Sequence, residues 1–171
     1  MTLDEINALD QAQFVAALGG LFEGPPWIVT LAWKRRPFAS AQAFHDVLDE
    51  GMYSAPLDQQ IALIQAHPDL AGKVALSGTL GPASASEQAA AGLNRLTADE
   101  LARFTRLNSA YREKFGFPFV ICARPLTKEE ILQAFSRRLG NSVEEEISTA
   151  LDEIGKISML RLRDLLDPSE F

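Results

Sequence analysis

Apolar residues return every three or four positions along several stretches of the chain. After Thr97, Leu101, Phe104, Leu107, Tyr111 and Phe115 share one helical face, and Gly116 supplies a stop. A second long helix is expected after Ser142, carrying Ile147, Leu151, Ile154, Leu162 and Leu165 and ending before Pro168, because proline cannot continue the hydrogen-bond ladder. Gly140 closes the helix before it. In the first third, one helix ends at Gly19-Gly20, another opens at Pro25-Pro26 and stops near Pro37, and a third is capped by Ser40 and ends around Gly51. A fourth runs over residues 55–66 until His67-Pro68. Helix starts are also marked by Thr2 with Glu5, Ser84 with Glu87, Thr97 with Glu100, Thr127 with Glu130 and Ser142 with Glu145. Each fits the S/T-x-x-E capping box, in which two side chains satisfy two otherwise orphaned backbone donors. Only residues 117–122 have strand character, with no second strand to pair with them. They are expected as an extended, largely buried segment between helices, whose N–H groups need partners from elsewhere. The pattern predicts an all-α, single-domain bundle of about eight helices over residues 1–171, with no significant sheet, internal repeat or linker.

Composition narrows the function classes. The 171 residues include 16 basic and 23 acidic side chains, for a net charge of -7, and 47% are hydrophobic, as in an ordinary globular domain. An acidic chain is a poor partner for nucleic acid, whose affinity comes from clustered Lys and Arg. The run Lys34-Arg35-Arg36 is too short to reverse that. Cys122 is the single cysteine, which excludes an internal disulfide and a cysteine-rich zinc site. No apolar run approaches the ~20 residues a membrane helix requires, no signal-peptide pattern opens the chain, and Pro168-Ser169-Glu170-Phe171 is no peroxisomal address. The expectation is a cytoplasmic protein without membrane or nucleic-acid partners.

Candidate chemistry is sparse. His45 and His67 are the side chains whose ordinary pKa lies near neutrality. His45, in mid-helix, reads as a partly exposed surface residue. His67 precedes a chain turn at Pro68, where it can either project into a cleft or cap the helix end. Glu87 and Ser84 read first as a capping pair, Gln88 points away from Glu87 on a plain helix, and Cys122 reads as a small buried hydrophobe. No nucleophile elbow, P-loop or dinucleotide fingerprint is present, and two widely spaced histidines make a poor metal site.

Three segments carry a resemblance. His67-Pro68-Asp69-Leu70-Ala71-Gly72-Lys73, then Ser84-Ala85-Ser86-Glu87-Gln88 running to Ala91-Gly92-Leu93, then Phe115-Gly116-Phe117-Pro118-Phe119-Val120-Ile121 resemble the 2-oxo-4-hydroxy-4-carboxy-5-ureidoimidazoline (OHCU) decarboxylases of urate breakdown. Weaker similarity extends through Gly20-Leu21-Phe22-Glu23 and Arg36-Pro37-Phe38, and through Glu146-Ile147 to Arg161-Leu162. The resemblance implies an all-helical homodimer that needs no metal or organic cofactor and converts OHCU to (S)-allantoin and carbon dioxide. It implies that His67 is the catalytic acid/base and that Glu87 binds ureido or ring polar atoms; as a second catalytic group, Glu87 could orient the imidazole or the substrate hydroxyl. It also implies that Pro68 lies against the substrate and that Ser84 and Gln88 bind ureido or ring polar atoms. The main chain of Phe119, Val120, Ile121, Cys122 and Ala123 would contact the ring, and Arg161 would hold an anionic group, with Arg163 two positions on and on a different face of the helix as the alternative. Two other readings keep these residues: the same fold acting on another ureido or imidazoline compound, and a non-catalytic helical interaction module.

Overall fold

The computed structural model describes residues 1–72 and 78–171. Among them are nine α-helices and two short 3-10 turns, with no strand. The chain forms two compact units, Met1–Leu63 with Ile154–Phe171, and Ile64–Glu153.

The first unit contains α1 (Leu3–Ala8), α2 (Gln11–Leu18), a 3-10 turn (Gly19–Leu21), α3 (Trp27–Trp33) and α4 (Ala41–Tyr53). It also holds most of α5 (Leu57–Gln65) and the last part of α9 (Val143–Leu165). The single helix expected before Gly19 is two. Asp10 caps a new start through the N–H of Gln13, and Gln13 returns the bond, so Asp and Gln form a capping box that the S/T-x-x-E pattern does not include. Thr2 and Ser40 cap as expected, and α4 runs through Gly51 to Tyr53. The rings of Phe14, Phe38 and Phe44 meet in the core, with Phe38 stacked on Phe44 at 4.4 Å. Arg36 leaves the short basic run to lie over the Trp33 ring and to donate to the carbonyls of Trp33, Asn7 and Leu9.

In the second unit are α6 (Pro82–Ala90), α7 (Ala98–Phe115), α8 (Lys128–Arg138) and the first part of α9. Thr97, Thr127 and Ser142 each close the expected box, and Gly116 ends α7 at a φ of 79°, a left-handed conformation that glycine adopts without a Cβ penalty. Tyr111 is at the centre of this core, with the rings of Phe115, Phe117, Phe119 and Phe135 around it at 4.5 to 6.2 Å. Residues 117–123 form a buried connection that is neither helix nor strand, where the sequence predicts a buried segment over 117–122.

Three expectations are overturned here. Ser84 and Glu87 are not a capping box: α6 starts three residues earlier, with Gly81 as the cap and Pro82 in the first turn, because the fixed φ of proline is already helical. Ser84 is therefore inside the helix and buried. Nor is His45 a surface residue. It is 6% exposed, its Nε2 is 3.0 Å from both the Gly155 carbonyl and Ser158 Oγ, and its Nδ1 is 3.4 Å from Asp49. Leu165, expected on the apolar face of α9, is exposed.

Candidate active site

His67 lies just beyond the last turn of α5, and its N–H still bonds to the Ile64 carbonyl at 3.1 Å. Its side chain is 7% exposed, and Pro68 beside it is half-buried. The turn that follows is strained and then clamped. Ala71 has a φ of 51°, a left-handed conformation that costs a residue with a Cβ roughly 1–2 kcal/mol. A Cβ on Gly72 would come within 2.8 Å of the Asp69 Cβ, so only glycine fits there. Three side chains hold this path. Gln88 accepts from the Ala71 N–H at 3.0 Å and donates to the Asp69 carbonyl at 3.3 Å. Asn108 donates to the Leu70 carbonyl at 2.8 Å, and Arg112 pairs with the Asp69 carboxylate at 2.8 Å. Backbone strain that the surroundings over-determine is characteristic of functional sites. Lys73, the last residue of the histidine motif, lies outside the described residues.

Helix α6 supplies the next group. Ser84 and Gln88, four residues apart, are buried on one face, and Glu87 is half-buried beside them. Gln88 thus has a role that the resemblance did not imply: its amide holds the turn that follows His67. A cavity of about 410 Å³ on this helix is lined by Ala85, Gln88 and Ala89 together with Leu80, Leu93 and Leu101, and takes in neither His67 nor Glu87.

The extended segment is the third group. Phe119, Val120, Ile121, Cys122 and Ala123 are all at least nine-tenths buried. Among their polar groups, the Cys122 N–H donates to Glu153 at 2.7 Å, the Val120 carbonyl accepts from Arg138 at 2.7 Å, and the Ala123 carbonyl accepts from the Leu126 N–H at 2.9 Å. The N–H groups of Phe119, Val120 and Ile121 make no hydrogen bond among the described residues. Buried main-chain donors without partners are rare, so the N–H groups of this segment are open to a bound polar group. Arg161 belongs to the first unit. It is 7% exposed and donates to the Gly20 carbonyl at 3.1 Å and to Glu23 at 2.9 Å, whereas Arg163 is exposed and lies over the Phe171 ring.

Asn108 and Arg112 were missed in the sequence, and the signal for Asn108 was present. It interrupts the stripe Phe104, Asn108, Tyr111, Phe115, so a polar amide occupies a core position and must have a carbonyl to meet.

Comparison with known proteins decides the family. The family model described as OHCU decarboxylase matches residues 7–163. The chain belongs to the OHCU decarboxylase family. A protein of Amia calva named 2-oxo-4-hydroxy-4-carboxy-5-ureidoimidazoline decarboxylase is 41% identical over 166 residues, covering 97% of this chain and 95% of that one. Its namesake from Xenopus laevis is 39% identical over 165 residues, covering 96% and 94%. Among solved structures, an (S)-allantoin synthase superposes with a TM-score of 0.79 at 27% identity, covering 98% of this chain but 54% of that one, so the chain spans about half of its length. The motifs that carry the OHCU decarboxylase resemblance are therefore the strained, clamped turn at His67, the buried face of α6 and the extended segment.

Proposed function

We propose that this chain decarboxylates OHCU, giving (S)-allantoin and carbon dioxide in urate degradation. The observation that carries the reading is the family match over residues 7–163. The chemistry is compatible with the residues. Breaking the bond to the carboxylate carbon leaves an electron pair on the ring carbon, and the adjacent C=N takes it up. The substrate thus supplies its own electron sink, and the reaction needs no cofactor. The 4-hydroxyl loses its proton as it becomes the ring carbonyl, and the ureido-bearing carbon gains one from a single face.

His67 is assigned the first proton transfer, for which a near-neutral imidazole is suited. Its place after a clamped turn supports this, since a catalytic base gains from a fixed orientation. Glu87 is assigned the orientation of that imidazole or of the hydroxyl, now that capping does not account for it. Pro68 packs on the substrate, and Ser84 with Gln88 meets its ureido or ring atoms. The edge formed by residues 119–123 takes the ring oxygen and nitrogens, which the unpartnered donors of Phe119 to Ile121 support. Arg161 takes an anionic group, and Glu23 and Gly20 set the plane of its fork. It positions more than it accelerates, because negative charge leaves the carboxylate as the reaction proceeds. We further propose that residues 1–171 act as one domain, in a homodimer, in the cytoplasm. No described helix is long and apolar enough to cross a membrane.

The test generates OHCU in situ from urate with urate oxidase and hydroxyisourate hydrolase, adds this protein, and follows circular dichroism as allantoin forms. Faster decay than the blank and a single enantiomer are expected. Decay at the blank rate with a racemic product overturns the proposal and favours another ureido or imidazoline compound.

A further inference from the structure

Beneath the extended segment is a charged cluster to which neither the motif resemblance nor the reaction gives a part. Glu146, in the first turns of α9, is fully buried. Its carboxylate accepts from Arg138 Nε at 3.0 and 3.2 Å, from Asn141 Nδ2 at 2.8 Å, and from the Tyr111 hydroxyl. Arg138 Nη2 is 2.9 Å from the same carboxylate. Burial, with the carboxylate beside it, pushes the Tyr111 phenol up from its ordinary range, so Tyr111 is a donor in this cluster. The other limb of Arg138 faces the extended segment: Nη1 donates to the Val120 carbonyl at 2.7 Å, and the guanidinium is 4.3 Å from the Phe119 ring centre. Phe119 also stacks on Phe135 at 3.7 Å and meets Tyr111 edge-on at 5.3 Å.

One guanidinium therefore fixes both the ring of residue 119 and the carbonyl of residue 120, and the carboxylate fixes the guanidinium. A buried ion pair is a poor device for stability alone, since apolar replacement of both partners is often neutral or stabilising. An extended segment without a sheet partner has a different need. With no ladder to set its register, directional side-chain bonds must do so, and besides the Glu153 bond to the Cys122 N–H the Arg138 bond to the Val120 carbonyl is the one that also holds a neighbouring ring. We propose that Tyr111, Glu146 and Arg138 form a buried positioning unit that sets the register of residues 119–122 against the substrate ring. This rests on the assignment of that segment to OHCU binding.

The test replaces Arg138→Met and Glu146→Leu together, with Tyr111→Phe as a milder second variant. The double variant is expected to melt at or above the wild-type temperature while kcat/KM falls by about 10²-fold, the loss typical of a small misplacement, and the allantoin loses enantiomeric purity. Wild-type kcat/KM and a single enantiomer in the folded double variant overturn the proposal. If the double variant does not fold, Tyr111→Phe decides, assayed well below its melting temperature: a lowered kcat/KM supports the unit and wild-type values overturn it. Amide hydrogen exchange needs no substrate and separates this idea from the functional reading. Selective acceleration at residues 120–122, with the amides of α7 unchanged, supports the unit even if the wild type fails to act on OHCU, in which case only the functional reading falls. Exchange that rises uniformly, or not at all, overturns the unit itself.

Discussion

The two histidines are almost equally buried, at 6% and 7% exposure, yet their surroundings differ in kind. His45 is in the middle of α4, and its ring meets a carboxylate at one nitrogen and a carbonyl and a hydroxyl at the other. It ties α4 to the last turns of α9 within one unit. The hydroxyl of Ser158 also donates to the Gly155 carbonyl at 2.9 Å, which closes the cluster. His67 is instead at the end of a helix, four residues before a residue at positive φ; Gln88 and Asn108 hold the main chain that follows it, and Arg112 holds the Asp69 carboxylate. Burial alone therefore does not separate the proposed catalytic histidine from the other one. What does is whether the backbone around it is relaxed or strained, since strain needs support from elsewhere in the fold.

The largest effect should come from His67→Asn, which is expected to lower turnover by about 10²- to 10⁴-fold, the range for a lost acid/base group, while the fold persists. The matching His45→Asn should leave turnover at the wild-type level below its melting temperature and reduce stability by about 1–3 kcal/mol, because buried partners lose their bonds. Turnover by circular dichroism and thermal melts on both variants check this. Equal loss of activity from the two would erase the contrast.

Glu87→Gln sharpens the His67 side of it. With Gly81 rather than Ser84 as the cap of α6, the change should reduce turnover, by less than His67→Asn does, at an unchanged melting temperature. A stability loss of cap size, about 0.5–2 kcal/mol, with normal turnover would restore the structural reading of Glu87. Smallest of all should be Ser158→Ala, on the His45 side. It is expected to lower stability by about 1 kcal/mol in a denaturant titration with turnover intact. A turnover defect there would show that the His45 cluster bears on the chemistry.

Much of the helical plan was legible because it is written in local terms. Thr2, Thr97, Thr127 and Ser142 cap the helices that their sequence spacing predicts, and Gly116 stops α7 where the apolar stripe ends. The Ser84 box failed for an equally local reason, a proline two residues upstream that moved the helix start. The family, too, was legible, since its three motifs are short runs of adjacent residues. Hidden were the partners of polar groups far apart in the chain. Nothing adjacent to His45 names Gly155 or Ser158, and nothing near Gln88 says that its amide reaches Asp69 and Ala71.

By itself, then, the sequence determined where most of the helices begin and which family the chain belongs to, because capping, periodicity and short motifs depend on neighbours within a few residues. The tertiary structure alone decided that His45 is buried, that Gln88 and Asn108 hold the His67 turn, and that Arg138 and Glu146 stand beneath the extended segment. Those outcomes follow from the cost of leaving a buried donor or acceptor unpaired, and packing, not sequence distance, chooses the partner where one is found.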